Sequence, residues 1–166
     1  HVRRPQFRRA VSIQANSEEL AVATKVCRAI IRMRNLIHAD HPDYGVDRRF
    51  GILGALTASQ YPSGGGFMVE HNDTPKEGTS CVLAVTKRGV DFQTGGLYAR
   101  TDKGEFIDID AYAGLGDLMC VRSDMRHGVA PIDPELEMDR SLNSGRWMLF
   151  SPQPIYWSQN EILVKV

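Results

Sequence analysis

Hydrophobic and polar positions follow two different patterns along this chain, one before and one after about residue 48. From residue 17 onward, apolar side chains recur at three- and four-residue steps, which is typical of an amphipathic helix. The pattern predicts one helix over about residues 17–38, with Asn16 as its N-cap and Glu19 three residues later. The segment His41-Pro42-Asp43-Tyr44-Gly45 has turn chemistry and ends it. The predicted apolar face consists of Leu20, Ala23, Val26, Ile30, Met33 and Ile37.

After residue 48 the chain changes to short apolar runs separated by Gly, Pro, Asp and Asn, which is typical of many short strands. A parallel α/β sheet would need helices between the strands, and the sequence has none there. We therefore expect a mainly β fold, either a two-sheet sandwich or a jelly-roll, cupin-like barrel, with the N-terminal amphipathic helix packed on it. Residues 1–166 are expected to form a single domain, with a helical lead-in over 1–48 and the jelly-roll core over 49–166. The predicted strands are residues 50–59, 67–71, 80–86, 97–100, 105–109, 117–122, 127–132, 146–151 and 161–166.

Composition narrows the class of protein. Among 166 residues, 20 Lys and Arg balance 20 Asp and Glu, which argues against a dedicated nucleic-acid binder or a polybasic membrane anchor. The charges are distributed unevenly along the chain, because residues 1–49 carry ten basic and five acidic side chains. No run approaches the roughly 20 apolar residues that a membrane span needs. Three widely separated cysteines without a CxxC pair favour a reducing compartment, so we expect a cytoplasmic protein.

The segment His71-Asn72-Asp73 is the main candidate for chemistry. If a strand ends at His71, the two-residue alternation places His71 and Asp73 on the same side. His127, 56 residues downstream, begins another predicted strand and offers a second imidazole. Two histidines and one carboxylate form the ligand set of non-haem Fe(II) oxygenases. Taken alone, the spacing favours a strand-end turn with a solvated carboxylate, because His and Asp two residues apart often arise by chance.

Several motifs in the same order give the chain a family resemblance. Over about residues 50–157 it resembles the Fe(II)/2-oxoglutarate-dependent oxygenases of the double-stranded β-helix fold. Within that superfamily it looks most like the branch of free amino-acid hydroxylases and halogenases. The motifs are Tyr61-Pro62-Ser63-Gly64-Gly65-Gly66-Phe67, His71-Asn72-Asp73, Asp91-Phe92-Gln93-Thr94-Gly95-Gly96-Leu97, Gly116-Asp117-Leu118, Arg126-His127-Gly128-Val129 and Gly145-Arg146-Trp147.

The resemblance implies a set of site residues and cofactors. His71, Asp73 and His127 would be the catalytic iron ligands, with Fe(II), 2-oxoglutarate and O₂ as cofactor and cosubstrates. In the family, a basic residue on a later strand pairs with the distal carboxylate of 2-oxoglutarate, and Arg146 matches it. Arg146 lies 19 residues beyond His127, about twice the family's usual interval, so Arg140 is kept as the alternative. The related halogenases carry a small residue at the position of Asp73, so the resemblance implies oxygenation and not chlorination.

The expected function is therefore a 2-oxoglutarate-dependent dioxygenase that hydroxylates a small polar metabolite, such as an amino acid or a derivative of one. Two alternatives stay open. One is an oxygenase acting on a nucleic-acid base, which would use the basic N-terminal part to hold phosphates. The other is a cupin-like or lectin-like jelly roll that binds a ligand without catalysis.

Overall fold

The computed structural model describes residues 6–14, 20–50, 52–73, 78–150 and 155–156. In those ranges there are one α-helix, α1 (Ala21–Ile37), and a short 3-10 helix at Arg48–Phe50. The strands are β1 (Gln6–Phe7), β2 (Arg9–Gln14), β3 (Ile52–Leu53), β4 (Ala55–Tyr61), β5 (Gly66–His71), β6 (Thr79–Ala84), β7 (Gly96–Arg100), β8 (Phe106–Asp108), β9 (Leu118–Arg122), β10 (His127–Ile132), β11 (Arg146–Phe150) and β12 (Ile155–Tyr156).

The strands form two five-stranded antiparallel sheets. The first has the order β1-β5-β10-β7-β8 and the second β2-β4-β11-β6-β9, while β12 and β3 form a separate pair. One apolar cluster takes side chains from both large sheets and forms the core between them: Tyr61, Val82, Ala84, Phe92, Leu97, Met119, Val129, Ile132 and Met148. No helix in the described residues is long and apolar enough to cross a membrane.

β1 and β2 lie inside residues 1–48, the segment that is predicted to be a helical lead-in. β1 pairs with β5 and β2 pairs with β4, so each strand adds an edge to a different sheet. The segment is rich in arginine, and β2 leaves much of its surface exposed, with Val11 58% exposed. Edge strands of this kind lack the buried apolar alternation by which a strand is recognised. The predicted strand 161–166 and the predicted cap at Asn16 lie outside the described residues.

The helix lies within the predicted range, but it begins at Ala21 with Leu20 as its N-cap, four residues later than predicted, and it buries a different face. Its buried residues are Thr24, Cys27, Ile30, Ile31 and Asn35, whereas Leu20, Met33 and Ile37 of the predicted face are each close to half exposed. The buried side chains share a cluster with Leu56 of β4 and Cys81 of β6, on the outer side of the second sheet. The predicted face is wrong because two members of the buried face, Thr24 and Asn35, are polar.

Asn35 has a structural reason to be buried. Its side-chain amide donates to the carbonyl oxygens of His41, Pro42 and Tyr44 at 3.1, 3.0 and 2.8 Å. These bonds satisfy backbone acceptors of the turn that follows the helix, and such groups are costly to bury unpaired. Asn35 thus holds the predicted turn against the C-terminal end of α1.

Candidate metal centre

The sheet register brings the two predicted histidines together. His71 is the last residue of β5, His127 is the first residue of β10, and the two are direct partners in the antiparallel pairing. Their ring centroids are 4.5 Å apart. Asp73 lies two residues beyond the end of β5, and its backbone N–H donates to the carbonyl of Ser123 at 2.9 Å. The carboxylate therefore stands beside both imidazoles.

Ligand atoms of His71, Asp73 and His127 all lie within 4.8 Å of one another, which is close enough to hold one metal ion. The Nε2 atom of His71 is 3.6 Å from one carboxylate oxygen of Asp73, and the Nε2 atom of His127 is 3.5 Å from the other. The three side chains predicted from the sequence thus form one cluster, although His71 and His127 are 56 residues apart along the chain.

Backbone carbonyls orient both imidazoles. The Nδ1 atom of His71 lies 2.9 Å from the carbonyl oxygen of Val69, and that of His127 lies 2.9 Å from the carbonyl oxygen of Met125. Because a carbonyl can only accept, each Nδ1 donates its proton to it, which leaves the Nε2 atoms of both rings facing Asp73; an Nε2 atom that gives up its proton can bind a metal. Metal-binding histidines are commonly fixed by such a bond. The donor set therefore fits a divalent metal such as Fe(II).

Asp73 is held in its charged form. Burial opposes its ionisation, but hydrogen bonds from His71 and Ser80 and the nearby histidine charges outweigh burial and lower the pKa of Asp73 to about 2. The Ser80 hydroxyl donates to the carboxylate at 2.6 Å. The carboxylate is therefore ionised at neutral pH, as a metal ligand must be.

The cluster lines a cavity of about 340 Å³ between the two sheets. This volume is at the lower end of the range for small-molecule sites. Much of the wall is apolar, and the polar side chains besides the triad are Gln6, Arg8, Tyr61 and Ser80. The apolar side chains in the wall are Met68, Val82, Leu97, Val129, Met148 and Phe150.

Arg146, predicted to hold a carboxylate of the cosubstrate, is paired inside the protein. Its Nε and Nη2 atoms donate to the two carboxylate oxygens of Asp110 at 2.5 and 3.0 Å. The side chains of Arg146 and Asp110 are only 2% and 6% exposed, and neither lines the triad cavity. A ligand carboxylate would have to compete with Asp110, so the role of Arg146 stays a prediction.

The alternative residue, Arg140, is also away from the triad cavity. Arg140 is exposed, and its guanidinium lies 5.5 Å from the centre of the Phe7 ring. It lines a separate hollow of about 260 Å³ together with Arg8 and Arg9.

Arg8 and Ser80 line the cavity but are not among the site residues predicted from the sequence, and no role is predicted for Tyr61. Arg8 lies in an arginine-rich run whose ordinary interpretation is a solvated surface. Ser80 begins the predicted strand 80–86, where a serine carries no functional signal of its own. No sequence signal marks these side chains, because each reaches the cavity only through pairing between distant strands.

Two solved structures are similar to this chain over most of its length. A prolyl-4-hydroxylase from Pseudomonas putida is 17% identical, with a TM-score of 0.61, over 90% of this chain and 73% of that one. A prolyl hydroxylase from Trichoplax adhaerens, solved in complex with a hypoxia inducible factor peptide fragment, is 16% identical, with a TM-score of 0.59, over 91% of this chain and 64% of that one. The similarity confirms the predicted fold, a mainly β double-stranded β-helix.

No protein-family model matches the chain. No curated protein matches it either.

Proposed function

We propose that this protein is a non-haem Fe(II)/2-oxoglutarate-dependent dioxygenase that hydroxylates an unactivated C–H bond. The observation that carries the proposal is the triad of His71, Asp73 and His127, with both Nε2 atoms turned toward an ionised carboxylate at a cavity between two sheets. A fold shared with two prolyl hydroxylases supports the same reaction class.

Each residue of the cavity would have a defined task. His71 and His127 supply neutral nitrogen ligands, Asp73 supplies a negative charge, and Ser80 holds the carboxylate in place. The apolar wall excludes water from the reacting atoms. When bound, Fe(II), 2-oxoglutarate and O₂ supply an oxidation in which one oxygen atom enters the substrate C–H bond and the other enters succinate, with release of CO₂.

For the substrate, we propose a small polar metabolite such as an amino acid or an amino-acid derivative. Both structural neighbours are named as prolyl hydroxylases, and one was solved with a peptide fragment. Proline, as the free amino acid or within a peptide, is therefore the first compound to test.

The proposal is tested with the purified chain, loaded anaerobically with Fe(II) and then exposed to O₂ and 2-oxoglutarate. Succinate is measured with free amino acids, proline-containing peptides and single-stranded oligonucleotides as candidate substrates. We expect succinate release to rise with an amino acid or a peptide. A rise with oligonucleotides alone would instead indicate the nucleic-acid reaction.

Variants connect the activity to the triad. Removing a group that only orients a metal ligand costs about 10- to 100-fold in affinity, so Asp73→Ala and His127→Ala should each weaken metal binding at least tenfold and abolish succinate release. His41→Ala is the matched control, because His41 is exposed and does not line the cavity. Unchanged metal affinity in His127→Ala, or ligand binding without succinate from any compound, would contradict the proposal and indicate a non-catalytic binding module.

A further inference from the structure

Cys81 and Cys120 form a pair of thiols across the second sheet. The two residues are direct partners in the antiparallel pairing of β6 and β9, and their Sγ atoms are 3.6 Å apart. The Cα atoms of directly opposite residues lie about 4.5–5.5 Å apart in such a pairing, which is within the range that a disulfide spans. The sulfur atoms need to approach by only about 1.5 Å to reach bonding distance.

The two thiols differ in their access to solvent. Cys120 is exposed, whereas Cys81 is 0% exposed in the apolar cluster that it shares with α1. Burial, and then the neighbouring Cys120 thiol, raise the pKa of Cys81 to about 12, so Cys81 keeps its proton at neutral pH. Because thiol–disulfide exchange needs an accessible thiolate, Cys120 is the sulfur that reacts first with a molecule from solvent.

The same two strands hold Asp73, the carboxylate of the triad. Ser80, which precedes Cys81 on β6, donates its hydroxyl to that carboxylate at 2.6 Å. Ser123, directly after β9, accepts the backbone N–H of Asp73 at 2.9 Å and donates its own N–H to the carbonyl of Gly78 at 2.9 Å. Close-packed interiors transmit strain, so a bond that draws β6 and β9 together displaces the groups that position Asp73.

We propose that Cys81 and Cys120 are a redox modification site, which the disulfide of a small thiol such as glutathione oxidises to a protein disulfide, and that this bond weakens metal binding at the triad. The effect on the metal rests on the proposed function, which makes the triad a metal centre.

The reaction consists of two exchange steps. The Cys120 thiolate attacks glutathione disulfide and forms a mixed disulfide, and the glutathione thiolate that leaves takes up the proton that Cys120 has lost. The sulfur of Cys81 then attacks the sulfur of Cys120, and its proton passes to the second glutathione thiolate as that thiolate leaves. The two cysteines lose two electrons, and glutathione disulfide is reduced to two molecules of glutathione.

The first measurement asks whether the bond forms. The metal-free full chain is equilibrated with increasing ratios of glutathione disulfide to glutathione, free thiols are blocked, and peptide mass spectrometry identifies the linked residues. We expect one intramolecular bond between Cys81 and Cys120 that dithiothreitol reverses. Cys120→Ser and Cys81→Ala should prevent it, whereas Cys27→Ala, which removes the third cysteine, should leave it unchanged. A chain that keeps both thiols, or stops at a mixed disulfide on Cys120, would overturn the proposal.

The second measurement compares the Mn(II) affinities of reduced and oxidised protein by calorimetry, after glutathione has been removed. Losing a group that orients a metal ligand costs about 10- to 100-fold, and displacing such groups should cost less, so we expect oxidation to weaken Mn(II) binding by roughly 3- to 10-fold. Cys120→Ser is the matched control and should bind Mn(II) equally after both treatments. Ser80→Ala already lacks the hydroxyl that holds Asp73, so oxidation should change its affinity less. Circular dichroism checks that each variant is folded.

The possible failures are distinguishable. If reduced wild-type protein binds no Mn(II), the proposed function fails and the effect on the metal fails with it, while mass spectrometry still decides whether the two thiols pair. If the disulfide forms and Mn(II) affinity is unchanged, the coupling to the triad is overturned and the proposed function stands. An equal loss of affinity in Cys120→Ser also overturns the coupling, since the effect would then not need the bond.

Discussion

The ion pair between Arg146 and Asp110 gives the sharpest stability prediction, because it tests whether Arg146 stabilises the fold or is free to bind a ligand carboxylate. The pair is bidentate, and its side chains are 2% and 6% exposed, so solvent screens it little. Breaking a buried pair by removing one partner typically costs about 3–5 kcal/mol, since the remaining charge is left buried and uncompensated. We expect Asp110→Asn to lower the free energy of unfolding by about that amount, and Arg146→Met by somewhat less, because Arg88 also interacts with Asp110.

The double variant Arg146→Met/Asp110→Asn tests the coupling directly. Asn at position 110 keeps an acceptor for the backbone N–H of Leu97, which donates to Asp110 at 2.7 Å. With both charges gone, no uncompensated charge remains, so the double variant should cost less than the sum of the single variants by about 2–3 kcal/mol. Urea unfolding of the ligand-free protein, followed by circular dichroism, measures all four proteins.

Arg122→Met is the control, because Arg122 pairs with Asp124 at the surface, where the two side chains are 63% and 55% exposed. Little change in stability is expected there, since exposed ion pairs contribute little. If Arg146→Met is as mild as this control and the cycle is additive, Arg146 is not held by Asp110 in solution. Its predicted role as the cosubstrate anchor would then regain support.

Two further predictions concern other parts of the fold. Asp133 is 2% exposed, and although burial opposes its ionisation, hydrogen bonds from the backbone of Thr94 and Gln93 and from the Ser63 hydroxyl lower its pKa. The difference in free energy of unfolding between the wild type and Asp133→Asn should therefore be fully present above about pH 4 and decline as the pH falls through the lowered pKa of Asp133. Urea titrations that show the same difference at every pH would refute this. Cys81 and Cys120 are partners on β6 and β9, with Sγ atoms 3.6 Å apart, so diamide should link them into one intramolecular disulfide. Mass spectrometry detects the link, Cys120→Ser should prevent it, and a chain that stays fully reduced would contradict the expectation.

The positions of most strands follow from local pattern. Predicted segments such as 67–71, 97–100, 117–122 and 127–132 nearly coincide with β5, β7, β9 and β10. Each has apolar residues bounded by Gly, Asp or Asn, so neighbouring residues along the chain suffice to predict it. Local pattern also pointed to the candidate triad, although the order of the surrounding motifs was needed to select it. The two-residue spacing of His71 and Asp73 is local, and His127 begins a strand that the pattern already predicted.

Only the tertiary structure decided which arginine faces which carboxylate and which helix face is buried. Arg8 reaches the cavity because β1 and β2 pair with strands more than 40 residues away, and Arg146 is neutralised by Asp110, 36 residues before it. Similarly, Thr24 and Asn35 are buried because a sheet and a turn cover them, despite their polarity. Periodicity and spacing reflect only the structural constraints that come from residues nearby along the chain. The partner of a charge or of a hydrogen bond depends on the packing of distant segments. The sequence therefore predicted most of the strands and the candidate triad, whereas the tertiary structure decided the electrostatics around them.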